Sequence, residues 1–337
     1  MTFAFDSNDK FAFVSIVNVY SSLAANAEMQ LADGTWVFDR IPLRLEDPWR
    51  EWVGAIRFDN LKKANVVLLR RLRSTNPEVL DAEHEELARP AILLFTLLQL
   101  SGVLEYEGAH VLKGSVSRGV SEVRQMSELP RFRHTRGSSR LPVDIDRLQG
   151  AVRLKKGLEQ IDAPPYAAKR VIRGLNVLMD GLKQRHGQER IHQFVRSLEG
   201  LILPETGKTR RQFAHRCQTF AKAGPEAKRI LEEAFGMRSN TEHLNNWEQS
   251  LQAYAPDDRE DVALHRTRQM ERLACVAYSR ILGDAAVRSW FEIEQKQREF
   301  WTGVDDAARR TVWGVPFDLA SVKLVEECDG RDRAESP

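Results

Sequence analysis

The segment ILEEAFGMRSNTEHLNNWEQ carries an arginine and a histidine that are separated by four residues, Arg238 and His243. An imidazole exchanges a proton near neutral pH, and a guanidinium binds and neutralises phosphate oxygens. The two residue types together suit chemistry on a phosphate ester, provided that the fold brings both side chains to one place.

The local sequence predicts a helix start that would bring them together. Gly236 is suited to end one helix, and Ser239 followed three residues later by Glu242 has the spacing of a capping box. Arg238 then falls just before the cap and His243 in the first turn, side by side at a helix N-terminus, which favours anions. In a continuous helix, residues five apart lie about 140° round the axis, and Arg238 instead faces Glu242.

Clusters of basic residues provide candidate contacts for a polyanion. The formal net charge of +2 comes from 50 basic and 48 acidic residues, so such binding would be local. The clusters are Lys208, Arg210, Arg211 and Arg216, and Arg131, Arg133, Arg136 and Arg140. Either cluster contacts phosphate or is simply solvated surface.

The composition indicates a globular protein of two domains. The chain has 337 residues, 42% of them hydrophobic and 29% charged, and a single core seldom grows beyond about 250–300 residues. The cysteines, Cys217, Cys275 and Cys328, are few and widely spaced, which favours a reducing cytoplasm over a disulfide framework or a structural metal site. No signal peptide is evident, and the apolar run 91–104 is too short to span a membrane, so we read it as a buried helix.

The sequence predicts an α+β fold, with a mixed α+β N-terminal domain over residues 1–130. FAFVSIVNVY and GTWVFDRIPLRL have strand composition, EELARPAILLFTLLQL suits a core helix, and VLEY and AHVLKG suggest two strands around a turn. Residues 131–143 have the polar, basic composition of an exposed linker. Helical periodicity then runs through an all-α bundle over residues 144–325, and residues 326–337 should form a flexible tail.

Three segments of this second domain follow one another in a recognisable order: SLEGLIL at 197–203, FAHRCQTFA at 213–221 and MRSNTEHL at 237–244. Through them the domain resembles the Apea-like branch of the HEPN family between Asp144 and Tyr254. Leu244 stands where many members have glycine, and Ser239 where many have Asn, Asp or His. Glu199 and Arg216 align with recurrent polar positions, either as structural ion-pair and capping residues or as catalytic ones.

The resemblance implies a metal-independent endoribonuclease that leaves a cyclic phosphate and needs no cofactor. It implies Arg238 and His243 as catalytic residues, with Ser239 and Glu242 in support. Lys208, Arg210 and Arg211 are then candidate RNA contacts, and no membrane partner is expected.

The family's habits also imply a homodimer, and a toxin or antiviral effector whose N-terminal domain regulates it. The alternatives are a non-catalytic HEPN dimerisation or ligand-sensing module, or the toxin half of a toxin-antitoxin pair with an antitoxin partner.

Overall fold

The computed structural model describes residues 3–44, 47–117, 120–135, 140–163 and 169–323. The chain divides into two compact units, residues 1–131 with 140–155 and residues 132–139 with 156–337. The predicted linker is therefore shared between the units. Arg136, Cys328 and the predicted tail at 326–337 lie outside the described residues.

The first unit is built on an antiparallel sheet. Within the described residues its order is β2-β3-β4-β1-β5-β6. The strands are β1 (Asp9–Val17), β2 (Glu28–Gln30), β3 (Trp36–Phe38), β4 (Ala64–Arg73), β5 (Gly108–Ser117) and β6 (Val120–Glu128). The helices are α1 (Asp47–Val53), α2 (Ala55–Lys62) and α3 (Ala82–Leu98).

Strand β1 is central because every residue of DKFAFVSIV is buried. Phe11 and Phe13 alternate along the strand and point into an aromatic core on one face of the sheet. Helix α3 also packs against β1. Asp81 caps α3 by accepting a hydrogen bond from the Glu83 backbone. The predicted strands in FAFVSIVNVY and AHVLKG and the predicted core helix are therefore confirmed.

The predicted strand VLEY is wrong. Residues 103–106 contribute only an isolated bridge from Val103 to Arg140, while β5 pairs with β6 instead. Leu104 and Tyr106 are buried without belonging to a strand. Their apolar character therefore reflects core packing and not a place in the sheet.

The second unit is helical. Helix α4 (Ile145–Asp162) contains the division between the units. The helices that follow are α5 (Lys169–Lys183), α6 (Gly187–Ile202), α7 (Thr209–Arg216), α8 (Pro225–Glu242), α9 (Arg259–Gly283), α10 (Ala285–Arg288), α11 (Glu294–Thr302) and α12 (Asp306–Trp313). The predicted α+β class is confirmed, and the assignment of this bundle to the HEPN type remains a prediction.

Helix α6 lies at the centre of the second unit and packs on α5, α8 and α9. Phe194, Leu198 and Leu201 on its inner face are fully buried. Gly174 of α5 allows close approach, because an added Cβ there would clash with the Tyr278 hydroxyl of α9. In the part of the chain that the structure describes, no helix has the length and apolar character to cross a bilayer.

Candidate functional site

Helix α8 carries Arg238 and its neighbours in one uninterrupted run. The helix extends from Pro225 to Glu242, and His243 is its C-terminal cap. The predicted break at Gly236 is wrong. This glycine keeps helical geometry and lies so close to the Trp247–Leu251 turn that a Cβ would come within 2.5 Å of the Ser250 hydroxyl. The left-handed residue that ends the helix is Leu244, with φ of 58°.

The predicted capping box is therefore also wrong. Ser239 and Glu242 lie in the last turns of α8, where unpaired carbonyls and the helix dipole favour cations rather than anions. The continuous-helix alternative is the observed one, because Arg238 pairs with Glu242 four residues on. The motif lies at a helix C-terminus, and the anion-binding helix N-terminus that the sequence predicted is absent from it.

Arg238 points from α8 towards α6. Its guanidinium donates a hydrogen bond to Oε2 of Glu199 at 3.3 Å and another to Glu242. The side chain is only 15% exposed, and its guanidinium carbon lies 5.8 Å from the centre of the Phe235 ring. Its Nε is buried without a hydrogen-bond partner. Arg238 is thus held by two carboxylates and keeps one N–H uncommitted.

Helix α6 presents a histidine and a carboxylate to this arginine. His192 and Glu199 are seven residues apart, which places them on one face of the helix. Nε2 of His192 and Oε1 of Glu199 are both buried without a hydrogen-bond partner. We call His192, Glu199, Arg238 and Glu242 the α6–α8 cluster. Three of its members carry an uncommitted buried polar atom, an arrangement that usually requires an explanation such as a ligand or a reaction.

The environment shifts the pKa values of His192 and Glu199. Burial lowers the pKa of His192 below its ordinary 6.5, and the cations Arg238 and Arg196 lower it further. Burial raises the pKa of Glu199 above its ordinary 4.5; Arg238 opposes this shift and Glu242 adds to it. A neutral imidazole and a carboxyl group that holds its proton more tightly than usual therefore lie on one face of α6, two turns or about 10.5 Å apart along the axis. Shifts of this kind are typical of acid–base sites.

His243 follows the last residue of α8 and is exposed to solvent. Its backbone N–H donates to the Ser239 carbonyl at 3.2 Å. Within the described residues, no hydrogen bond joins its ring to Arg238. The structure therefore places the predicted catalytic pair at the same helix end, with Arg238 half-buried against α6 and His243 free to meet a ligand from solvent.

The predicted RNA contacts lie at the start of α7. Lys208 pairs with Glu205 at 2.8 Å, and Arg210 and Arg211 are exposed. Arg210 lines a surface pocket together with Ser239. Ser239 is about 100° round the helix from Arg238, so the structure groups it with Arg210 and not with the α6–α8 cluster.

Arg216 has a structural role. Its guanidinium donates to the carbonyls of Ile202 and Leu203, each at 2.7 Å, at the C-terminal end of α6, and lies 5.5 Å from the Trp301 ring centre. The capping alternative for Arg216 is thereby confirmed. Glu199 pairs with Arg238.

His192 is the site residue that sequence reasoning missed. Its spacing from Glu199 was the available signal, but that spacing becomes informative only when Arg238 is known to face the same side of α6. Among the described residues, no three His, Cys, Asp or Glu side chains are grouped as they would be to hold a metal ion.

The chain matches no family model, no curated protein and no solved structure. The resemblance to the Apea-like HEPN family therefore rests on its three sequence segments.

Proposed function

We propose that this protein is a metal-independent endoribonuclease of HEPN type that acts at the α6–α8 cluster. The observation that carries the proposal is that His192 and Glu199, on one face of α6, and Arg238 of α8, which pairs with Glu199, each keep a buried polar atom without a hydrogen-bond partner. Leaving such atoms unpaired costs stability, on the order of 1–3 kcal/mol each. A bound substrate phosphate and its ribose would supply the missing partners.

The proposed reaction begins with attack of the ribose 2′-oxygen on the adjacent phosphorus. A new bond forms between that oxygen and phosphorus, and the bond from phosphorus to the 5′-oxygen breaks. His192 accepts the proton of the 2′-hydroxyl at its uncommitted Nε2, because its lowered pKa keeps the imidazole neutral. The products are a 2′,3′-cyclic phosphate and a free 5′-hydroxyl.

Arg238 binds the phosphate in this proposal and stabilises its developing charge. The guanidinium is already oriented by Glu199 and Glu242, so little reorganisation is needed when the charge increases. His243 is exposed at the helix end and donates the proton that the leaving 5′-oxygen requires. Glu199, with its raised pKa, positions Arg238.

A second candidate is a non-catalytic HEPN module for dimerisation or ligand sensing. Two carboxylates already neutralise Arg238, as in a purely structural ion pair, and Leu244 beside the motif is 95% exposed, as at an interface. Under either candidate we propose a homodimer.

In cells, we propose a cytoplasmic toxin or antiviral effector, or the toxin half of a pair with an antitoxin. The first unit would then regulate activity. The free thiols of Cys217 and Cys275 support a reducing compartment.

The test is RNA cleavage by purified protein in excess chelator. Arg238→Gln and His192→Gln should each lower the cleavage rate at least a hundredfold, the scale of one lost acid–base or electrostatic group. Arg298→Gln is the matched control, since Arg298 also pairs with a carboxylate four residues away, Glu294 at 3.3 Å, but lies on α11. His186→Gln controls for loss of a nearby histidine, since His186 is the residue just before α6.

Equal rates in Arg238→Gln and Arg298→Gln would overturn the assignment of the site. A wild-type protein that stays inert towards RNA but forms dimers would favour the non-catalytic module. Toxicity in cells would then separate the two candidates, because only a nuclease should be toxic as wild type and harmless as Arg238→Gln.

A further inference from the structure

A surface pocket of about 680 Å³ lies against the side of α8 that faces away from Arg238. Its position follows from helix geometry, because Gly236 and Asn240 of its wall lie about 160–200° round the axis from Arg238. The pocket is lined by residues of α7, α8 and the Trp247–Leu251 turn with the residues just after it. Its volume is within the range of small-molecule sites, about 300–1,000 Å³.

Two carboxylates line the pocket: Glu232 pairs with Lys228 at 3.9 Å, and Glu233 is fully engaged. Glu233 accepts from Arg266 at 2.7 Å and from Arg229 at 3.0 Å, and the Tyr254 hydroxyl lies 3.2 Å from it. Arg266 is buried, so this network is rigid, and Arg229 also pairs with Glu226 at 3.8 Å, so two carboxylates balance the two guanidiniums. Glu233 therefore needs no charge from a ligand.

Arg210 on the α7 side is different. It is exposed, and within the described part of the chain it makes neither an ion pair nor a side-chain hydrogen bond. The other lining cation, Arg229, is already paired with Glu233. Arg210 is therefore the lining cation available to a ligand, and a guanidinium is suited to a phosphate group.

Other lining residues offer hydrogen-bonding groups without charge. Gln249 and Gln252 are exposed amides, and Ser239 contributes a hydroxyl, none of them with a side-chain hydrogen bond inside the described regions. Asn240 of α8 donates to the Ser250 hydroxyl at 3.0 Å, which ties the Trp247–Leu251 turn to α8. Amides and hydroxyls in this number pair with a ligand that is itself rich in hydroxyl groups.

The pocket provides little surface for stacking a nucleobase. Its one lining aromatic, Phe235, is buried and has the Arg238 guanidinium near its ring. Recognition of a base normally uses an open aromatic face. The lining groups therefore favour a sugar over a base.

We propose that this pocket binds a phosphorylated sugar, with the phosphate on Arg210 and the sugar hydroxyls on Gln249, Gln252 and Ser239. The shared chemistry has two sources, a free sugar phosphate or a ribose phosphate unit of RNA. Binding here requires no reaction at the α6–α8 cluster, so the inference goes beyond the proposed cleavage.

Calorimetric titration of the full chain tests the inference with ribose 5-phosphate, ribose, inorganic phosphate and a short single-stranded RNA. Arg210→Gln should weaken binding of ribose 5-phosphate at least tenfold, which corresponds to about 1.4 kcal/mol for a lost charge-assisted bond. Arg211→Gln should change it less than twofold, because Arg211 is the next residue, is equally exposed and does not line the pocket. Gln252→Ala should weaken the binding of ribose 5-phosphate but not the binding of inorganic phosphate.

The two sources separate in the same titration. If RNA binds in an Arg210-dependent way and ribose 5-phosphate does not bind, the pocket is assigned to the RNA backbone. If ribose 5-phosphate binds in an Arg210-dependent way and RNA does not bind, the pocket is assigned to a free sugar phosphate. Equal losses in Arg210→Gln and Arg211→Gln, or inorganic phosphate binding as tightly as ribose 5-phosphate, would overturn the inference, as would absence of binding by both phosphorylated ligands.

Failure of the proposed nuclease function gives a different result. Arg238→Gln should retain ribose 5-phosphate binding, since Arg238 lies on the other side of α8. An inert protein that still binds through Arg210 would refute the nuclease and leave the pocket assigned. An active nuclease whose ribose 5-phosphate binding is unchanged by Arg210→Gln would support the nuclease and refute the pocket assignment.

Discussion

Arg238 of α8 donates to Glu199 of α6 at 3.3 Å, yet Nε of the arginine and Oε1 of the glutamate are left without partners. The ion pair joins the two helices and satisfies only part of the hydrogen-bonding capacity of either side chain. This incomplete pairing distinguishes the α6–α8 cluster from Arg216, whose guanidinium caps two carbonyls.

Glu199→Gln should make the stability of the protein less sensitive to pH. The folded pKa of Glu199 is raised above 4.5, so the native state binds its proton more tightly than the unfolded state. The contribution of Glu199 to the stability of the wild-type protein therefore falls as pH rises from 4.5 through its folded pKa. The glutamine variant lacks this loss, and its stability relative to wild type should increase with pH.

Urea unfolding at several pH values from 4 to 8 measures this difference. The cost of the substitution at pH 7 should stay below the roughly 3–5 kcal/mol typical of breaking a buried pair, since Arg238 keeps Glu242. A difference between variant and wild type that is constant with pH would contradict a raised pKa at Glu199.

Arg238→Gln should raise the pKa of His192. Burial is the largest cause that lowers this pKa, and Arg238 is the second largest. Once the guanidinium is removed, burial and the cation Arg196 still lower the pKa, while the carboxylate of Glu242 raises it. Titration of the imidazole resonances by NMR reads the change directly and does not depend on activity. The Arg298→Gln control should leave the His192 titration unchanged, and an unshifted His192 in Arg238→Gln would refute the electrostatic coupling.

Glu271 should account for part of the acid sensitivity of the second unit. It is fully buried, which by itself raises the pKa, but His134 at 2.8 Å, Arg190 at 2.6 Å and Thr135 lower it to about 2. The stabilisation is complete above the unfolded pKa of about 4.5 and is lost as pH falls towards 2. The shift corresponds to on the order of 3 kcal/mol.

Glu271→Gln should remove that pH dependence, and acid unfolding monitored by circular dichroism checks it. The exposed Glu294→Gln on α11 is the control and should unfold in acid as wild type does. If Glu271→Gln retains the full wild-type slope between pH 4.5 and 2, the carboxylate does not anchor residues 132–135.

Gly174→Ala should destabilise the second unit by about 1–3 kcal/mol, the usual cost of overpacking a core. An added Cβ would meet the Tyr278 hydroxyl, which is held by the Ser197 carbonyl at 2.9 Å. Gly150→Ala is the matched helical control, since its Cβ would meet only the Arg153 guanidinium at 3.8 Å. Thermal unfolding should show a loss of stability for Gly174→Ala and no loss for Gly150→Ala. Equal changes in stability in the two variants would contradict the close packing at Gly174.

The helices of the second unit were largely predictable from sequence, because apolar residues at three- and four-residue spacing mark the buried faces of α5 and α6. Strands β4 and β6 were not. Apolar VVLL in β4 is buried on both faces of the sheet and shows no alternation, and β6 pairs with β5 at the edge of the sheet and is mostly polar. Neither strand carries the period-two pattern that identifies a half-buried strand.

The site was predictable only in part. Sequence located Arg238, but it misread Gly236 as a helix end because glycine serves both as a terminator and as a point of close helix contact. His192 has no signature of its own. Its importance arises from the packing of α6 on α8, a long-range contact that no local pattern encodes.

Cleavage of a single-site RNA oligonucleotide, compared with the same oligonucleotide carrying a 2′-deoxy sugar at that site, tests the central claim most directly. In excess chelator, wild-type protein should cleave only the all-ribose substrate and leave a 2′,3′-cyclic phosphate, and Arg238→Gln and His192→Gln should leave both substrates intact. Cleavage of the 2′-deoxy substrate, or full activity in either variant, would contradict RNA cleavage at the α6–α8 cluster.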